Sequence, residues 1–338
     1  MMNSSIFLAV PKGSRLIVGI SGGCDSVALL RLLVENYPNS SRCLIAAHVN
    51  YGLRGKQSQA DEKYVRELCA QWKVPLRVLK ARDFKKNKKS VQDQARELRY
   101  SFFQKLVRQE KAWGAAVAHH LEDQAETILD RFLRGTGSKG LSGLQEIQFL
   151  SFSKTERPIK VWRPLLRETK ESLKTYLSLR DIAWREDRSN QKLDYRRNQI
   201  RHEVLPFLSR WNSRLVEILA RMGEVVTVED QFLDQVLNEA GKKLKSRWGK
   251  KAHFCDAPSF AKLHLALQRR WVKRSAEKLT SDARGLSFDQ VEEILRIWAG
   301  QKKGPLDVGY GLSAGREGSS LYLKYLGLKK QKLVKPRR

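Results

Sequence analysis

An apolar run, Leu16-Ile17-Val18-Gly19-Ile20, leads directly into Ser21-Gly22-Gly23-Cys24-Asp25-Ser26 and then into Val27-Ala28-Leu29-Leu30-Arg31-Leu32-Leu33. The first run has the length of a buried strand, and the last carries apolar residues at helical spacing until Pro38. The local expectation is strand, tight glycine turn, helix. Such a turn offers backbone N–H groups, a helix N-terminus and hydroxyls to an anion, so phosphate is the expected guest. Gly22 and Gly23 permit unusual backbone angles and close approach to a ligand, and Ser21 and Ser26 can donate to phosphate oxygens. An ionised Asp25 cannot donate, so its natural role is to hold a divalent cation that bridges the phosphates. An ordinary glycine turn after a strand is the competing reading.

The stretch lacks the Lys-Ser/Thr pair of the Walker loop and the spacing of Gly-x-Gly-x-x-Gly. It resembles the Ser-Gly-Gly-x-Asp-Ser loop of the ATP pyrophosphatases, the PP-loop superfamily, which cleave ATP to AMP and pyrophosphate while adenylating a substrate. That resemblance implies ATP and Mg2+ at Ser21, Gly22, Gly23, Cys24, Asp25 and Ser26, with Asp25 on the metal.

Further strands are predicted at Cys43–Val49, Pro75–Leu79 and Ala115–His120, and helices at 59–72, 91–110 and Asp123–Leu133. Four alternations of strand and helix predict an α/β fold with a doubly wound parallel sheet. Sites in such sheets lie at the carboxyl ends of the strands. Ser21–Ser26, His48–Arg54 and His119–Glu126 are thus expected around one crevice. Past Gly135 the alternation is expected to stop. Gly135–Gly143 reads as a mobile loop, Trp162–Leu166 as an extended segment and residues 170–180 as a short helix. Long helical periodicity over 213–246 predicts a helix connecting the catalytic domain, 1–212, to a small α/β domain, 247–328. That second domain is expected to hold helices near 260–279 and 287–299 and short strands from 305 to 326. The basic Lys85–Lys89 run reads as a solvated loop and the tail, 329–338, as frayed.

Charge narrows the partner. The chain has 338 residues, with 65 Lys and Arg against 36 Asp and Glu, a formal net charge of +29. An enzyme confined to small molecules has no need of this excess, whereas a polyanion is drawn to it over a long range, and nucleic acid is the leading partner. No apolar run is long enough for a membrane span, and Ile6–Val10 is too short for a signal peptide, which predicts a cytoplasmic protein. Cys24, Cys43, Cys69 and Cys255 form no Cys-x-x-Cys pair, which argues against a disulfide framework, zinc ribbon or cysteine-held cluster.

A second constellation follows the fourth strand. In His119-His120-Leu121-Glu122-Asp123-Gln124-Ala125-Glu126, Asp123 and Glu126 share one face of a first helical turn. Acidic residues also sit there simply to cap helices. With two histidines preceding them, a site is the stronger reading; the carboxylates can hold an ammonium group or a metal, although the spacing matches no zinc pattern.

Together with Ala95–Tyr100, Arg163–Leu166 and Asp187–Arg201, these segments stand in the order found in the tRNA(Ile)-lysidine synthases. The resemblance covers roughly the first two hundred residues, and more loosely the segment after 213, where it implies a tRNA-binding domain. It implies ATP-dependent attachment of free L-lysine to C2 of cytidine 34 in the CAU anticodon of a minor isoleucine tRNA, through an adenylated cytidine. Asp123 and Glu126 would then handle lysine, with Asp25 completing the catalytic set. Substrate contacts are expected from His48, Asn50, Arg54, Arg96, Arg99, His119, Asn198 and Arg201, while Arg96, Arg99, Arg197 and Arg201 suit phosphates. Tyr51 and Glu122 depart from the family's usual residues, and the chain is shorter than members with an additional C-terminal subdomain. The rivals are a tRNA thiolase of the same superfamily, a small-molecule amidating synthetase and a non-catalytic RNA-binding protein.

Overall fold

The computed structural model describes residues 9–37, 39–81, 90–152, 157–185, 196–280, 285–302 and 304–327. The Lys85–Lys89 run, residues 186–195 and the basic tail lie outside them. The chain divides into two compact units, Met1–Thr227 and Val228–Arg338.

The first unit is built on β1 (Leu16–Gly19), β2 (Leu44–Asn50), β3 (Leu76–Lys80), β4 (Gly114–Ala116), β5 (Ile147–Leu150) and β6 (Ile159–Trp162). Their order across the sheet is β3-β2-β1-β4-β6-β5, parallel throughout except where β5 runs against β6. Apolar runs without polar alternation make strands buried on both faces, as a parallel sheet requires. Leu16, Val18, Leu44 and Ala46 turn to a core shared with α1 (Cys24–Asn36), α3 (Lys56–Gln71) and α7 (Lys170–Ser178). Ile17, Ile45 and Ala115 turn to the opposite core, filled by Tyr100, Phe103, Leu106 and Val107 of α4 (Val91–Gln109). Gly19 is where α4 comes closest, since a Cβ there would stand 2.7 Å from the Phe103 ring.

The expected doubly wound sheet is present, and it is wider than the sequence suggests. Alternation does not stop at Gly135, because β5 and β6 add two strands; each has only four residues, too few to register as periodicity. The glycine-rich stretch 135–143 also holds a helical turn, α6 (Ser138–Leu141). The expected extended segment at Trp162–Leu166 is strand only at Trp162. The fourth strand ends at Ala116, and α5 (Leu121–Leu133) begins before Asp123. Short helices α8 (Arg196–Gln199) and α9 (Leu205–Ser209) flank a π-helical turn at Ile200–Val204. The long periodic segment is α10, Leu215–Lys243, within which the two units meet. Among the described residues no helix is long and apolar enough to cross a membrane.

The second unit carries an antiparallel sheet, β7-β8-β11-β10-β9, formed from Ser246–Gly249, Ala252–Asp256, Ser320–Tyr325, Leu312–Glu317 and Leu306–Gly309. The first hairpin, β7–β8, is absent from the sequence expectation because β7 is an exposed edge strand without an apolar face. Helices α11 (Ala257–Ala261), α12 (Leu265–Thr280) and α13 (Phe288–Trp298) contribute Phe260, Trp271, Ile294 and Trp298 to the core. His253 lies between Trp248 and Trp271, with ring centroids 3.7 and 4.3 Å away. Ser275 Oγ donates to the Trp271 carbonyl and accepts from His253 Nδ1 at 2.8 Å, leaving Nε2 buried without a partner. Burial, reinforced by the charge of Lys278, pushes His253 down to about 4.

A histidine depressed in the folded state adds stability that is complete above its unfolded value, about 6.5, and lost as pH falls toward 4. The loss expected from this residue is up to about 3 kcal/mol. Thermal unfolding followed from pH 7 to 4.5 should therefore steepen less in His253→Phe than in the wild type, and equal slopes would refute the assignment.

Candidate active site

The turn after β1 is held by its own side chains. Ser26 Oγ accepts from the Ser21 N–H at 3.1 Å and donates to the Gly23 carbonyl at 2.9 Å, while Ser21 Oγ accepts from the Gly23 N–H at 3.3 Å. Gly22 has φ +93°, and a Cβ there would also press on Val65 at 3.3 Å. Its carbonyl accepts from the Arg185 N–H at 2.9 Å. The Cys24 thiol is pushed up to about 11 by burial and then by the charge of Asp25, so it stays protonated.

Asp25, in the first turn of α1, has one oxygen, Oδ1, buried and unpartnered, and burial raises its pKa above the ordinary carboxylate range. A buried acceptor without a donor is costly, and a hard cation is the partner that suits a carboxylate beside phosphates. Asp25 Oδ2 stands 3.7 Å from His120 Nε2. His120, buried at the start of α5, has Nδ1 2.8 Å from Glu122 Oε2 and Nε2 3.4 Å from Asp123 Oδ2. Burial opposes its charge, but Glu122, Asp123 and Asp25 outweigh burial and hold His120 above its ordinary value.

Asp123 and Glu126 are 7% and 1% exposed. Asp123 does cap the helix, accepting the His120 N–H at 3.1 Å, and it also faces two guanidinium groups. Arg197 donates to Asp123 at 2.7 Å and to Glu126 at 2.9 Å; Arg201 donates to Asp123 at 3.0 Å and to Glu126 at 2.9 Å. Burial alone would raise Asp123, yet the charges of His120, Arg197, His119 and Arg201 lower it to about 2. Burial opposes the Arg201 charge too, and Glu126, Asp123 and Asp25 raise Arg201 against it. Asn198 is buried on α8 between these arginines.

His48, depressed by burial, has Nδ1 2.9 Å from the Ile20 carbonyl at the head of the turn. Asn50 donates to Glu62 at 2.8 Å and accepts from the Gly52 N–H at 2.9 Å. Arg54 pairs with Asp61 at 2.8 Å, and Asp61 also takes Arg185 at 3.0 Å, tying the loop after β2 to the glycine turn. Arg96 and Arg99 lie over the Tyr100 ring, 5.0 and 5.3 Å from its centroid, and Arg99 Nε is buried without a partner. His119 accepts from Arg163 Nε at 3.1 Å. Burial, then Arg163, Arg197 and Arg99, keeps its pKa well below the ordinary value against the pull of Asp123. Among the described residues no three His, Cys, Asp or Glu side chains form a metal-holding group, so Asp25 would act with phosphate oxygens rather than in a protein cage.

His120, Glu122 and Arg163 belong to the cluster although the sequence reading gives them no role of their own, and Arg197, expected at phosphates, pairs here with Asp123 and Glu126. The adjacent His119-His120 pair carried the signal for His120, and the spacing of four between Arg197 and Arg201 carried that for Arg197. Arg163 opens a segment of the family resemblance, but no spacing or pattern around it predicts that it is fully buried.

The profile of the PP-loop domain matches residues 2–208. The chain belongs to the PP-loop family. Curated relatives include proteins named tRNA(Ile)-lysidine synthase from Geobacter sulfurreducens, 33% identical over 84% of this chain and 59% of that protein, and from Solibacter usitatus, 34% identical over 85% and 62%. Another, from Rhodopirellula baltica, is 38% identical over 69% of this chain and 60% of its own. The chain thus spans about three fifths of the length of these relatives. Among solved structures, the U34-tRNA thiolase NcsA from Methanococcus maripaludis with its [4Fe-4S] cluster matches at TM-score 0.52 and 18% identity, covering 64% of this chain and 73% of that one, a likeness of fold.

Positive φ at Gly22 makes the two glycines unequal. Gly22→Ala should lower the unfolding free energy by about 1–2 kcal/mol. Gly23→Ala, where a Cβ meets only ordinary contacts from 3.5 Å outward, should stay within about 0.5 kcal/mol. Denaturant titration of both variants checks this, and equal losses would refute it.

Proposed function

We propose that this PP-loop protein is a tRNA(Ile)-lysidine synthase: it uses ATP to activate C2 of cytidine 34 in the CAU anticodon of an isoleucine tRNA and joins free L-lysine there, releasing AMP and pyrophosphate. One observation carries the reading. Relatives bearing that name match most of the chain, and the turn at 21–26 and the carboxylates of α5 stand on either side of one histidine. The net charge of +29 supports an RNA substrate.

In this reading the glycine turn and the N-terminus of α1 receive the phosphates. Their N–H groups are positioned before ATP arrives, so little reorganisation opposes binding. Asp25 Oδ1 would hold Mg2+, which when bound offsets charge on the departing pyrophosphate. The cytidine O2 attacks the α-phosphorus and pyrophosphate leaves; the lysine amine then attacks C2 and AMP leaves. Asp123 and Glu126 receive an ammonium group of lysine, and the neighbouring Arg201 guanidinium suits its carboxylate. Asp123, held near 2, serves as an ion-pair partner and not as the proton acceptor for the attacking amine.

The thiolase alternative finds little support in the cysteines. All four are free and buried, and burial pushes Cys69 and Cys255 up to about 12, so neither supplies a thiolate at neutral pH. A non-catalytic RNA-binding protein is separated from the proposal by turnover.

The purified chain should incorporate labelled lysine into isoleucine tRNA(CAU) in the presence of ATP and Mg2+, and a C34U transcript should receive none. Asp25→Ala should abolish pyrophosphate exchange while tRNA affinity falls less than about threefold. ATP turnover without lysine transfer would move the assignment to another PP-loop activity, and exchange surviving in Asp25→Ala would remove the metal role.

A further inference from the structure

All four oxygens of Asp123 and Glu126 are engaged. Asp123 Oδ1 accepts from Arg197 Nη2 at 2.7 Å and Arg201 Nη2 at 3.0 Å, and Oδ2 accepts the His120 N–H. Glu126 Oε2 accepts from Arg197 Nε and Arg201 Nη2, each at 2.9 Å, and Oε1 accepts from Arg201 Nε. A carboxylate offers about four lone-pair sites, and an alkylammonium brings three donors and a full charge. These six hydrogen bonds leave about two of the roughly eight sites open, fewer than the three donors of an ammonium, so to bind fully at both carboxylates it must displace a guanidinium.

We propose that Arg197 is a stand-in cation, which neutralises Asp123 and Glu126 while the amine site is empty and is displaced when the substrate amine enters. The inference rests on the reading that these carboxylates receive lysine. Arg197 is the group that leaves because its side chain is 41% exposed and makes two of the ion-pair hydrogen bonds, against 26% and three for Arg201. With Arg197 gone and nothing in its place, two buried carboxylates would share the single guanidinium of Arg201, so a second cation is favoured there before lysine arrives.

The displaced guanidinium needs an anion. The phosphate turn is close by, since His120 bridges Asp123 to Asp25 there, and Arg201, which shares both carboxylates with Arg197, and Asp25 act on one another's charge. A triphosphate on that turn is an oxyanion suited to the fork of Arg197. Bound nucleotide therefore lowers the cost of moving Arg197 aside, and nucleotide and amine become positively coupled partners. Arg197 acts here as a positioning residue, through the carboxylates and not on the reacting atoms.

Calorimetric titration of L-lysine into the full chain tests this, with and without the non-hydrolysable analogue α,β-methylene-ATP and Mg2+. In the wild type, the analogue should tighten lysine binding about tenfold. Arg197→Gln should bind lysine more tightly than the wild type without nucleotide, and the gain from the analogue should shrink to nearly none. Arg197→Lys, which keeps a cation in place, should restore part of the coupling and guards against a folding defect in the first variant. Lysine binding weakened equally with and without nucleotide in Arg197→Gln would overturn the proposal, making Arg197 a fixed ligand, as would coupling that persists unchanged. If neither wild type nor variant binds lysine under any condition while both bind the nucleotide, the lysine assignment itself fails, and the role of Arg197 falls with it.

Discussion

Two carboxylates on one turn of α5 are almost wholly withdrawn from water, and both must be neutralised where they sit. Leaving either unpaired in that setting would cost several kcal/mol, on the order of 3–5. The neutralising cations come from α8 and the π turn after it, more than seventy residues along the chain. Apolar contact brings the same elements together, since Ala125 and Leu129 of α5 pack in one cluster with Ile200 and Leu205. The π turn reconciles the two demands. In a regular α-helix, residues five apart diverge by well over a third of a turn, whereas i→i+5 bonding brings Ile200 and Leu205 nearer one face. Arg197 and Arg201 are left free to reach the carboxylates.

The parallel sheet decides what that charged cluster faces. With β1 between β2 and β4, the segments leaving β1 and β4 emerge side by side at the carboxyl edge. One segment is the glycine turn and the other is His119–Glu126, so Asp25 and Asp123 come to share His120. The turn is already organised by the Ser21 and Ser26 hydroxyls and needs no ligand to adopt its form. Among the described residues of the turn, one side-chain oxygen stays unsatisfied, Asp25 Oδ1, an acceptor at the place where a cation would neutralise phosphate.

Legibility in the sequence tracks how local each signal is. The glycine turn is a contiguous motif between a buried run and a helix, and it stands where expected. Asp123 and Glu126 were readable because a spacing of three fixes a shared helical face. Strands of four residues, such as β5 and β6, and the exposed edge strand β7 carry no periodic signal, and their existence depends on neighbours that local pattern does not name. Partner choice was equally hidden. His48, Asn50 and Arg54 are expected at substrate, and their hydrogen bonds to Ile20, Glu62, Gly52 and Asp61 fix them around the turn through partners that no local pattern names. Arg163 sits in an apolar run and is nevertheless fully buried against His119, a placement that only the closed sheet determines.

The same accounting separates two uses of charge. Within the site, the carboxylates are matched by His120, Arg197 and Arg201, so its local field arises from placement and not from excess. The surplus of +29 must therefore lie mostly elsewhere, and the second unit carries 24 Lys and Arg against 12 Asp and Glu. Several of its cations are already paired, Arg269 with Glu292 and Arg270 with Asp230 and Asp234, whereas Arg247 rests over the Phe254 ring and Lys278 over Trp248. A cation lying on an aromatic face is held in position without being neutralised, so its charge still acts outward. Excess of this kind adds little to stability and does not select one base over another. Its effect is to raise the rate of encounter with a polyanion and its nonspecific hold, both screened by salt. Selection of one ligand over another is the property of a compensated cluster such as that of Asp123 and Glu126, where charge is matched and geometry distinguishes what can enter.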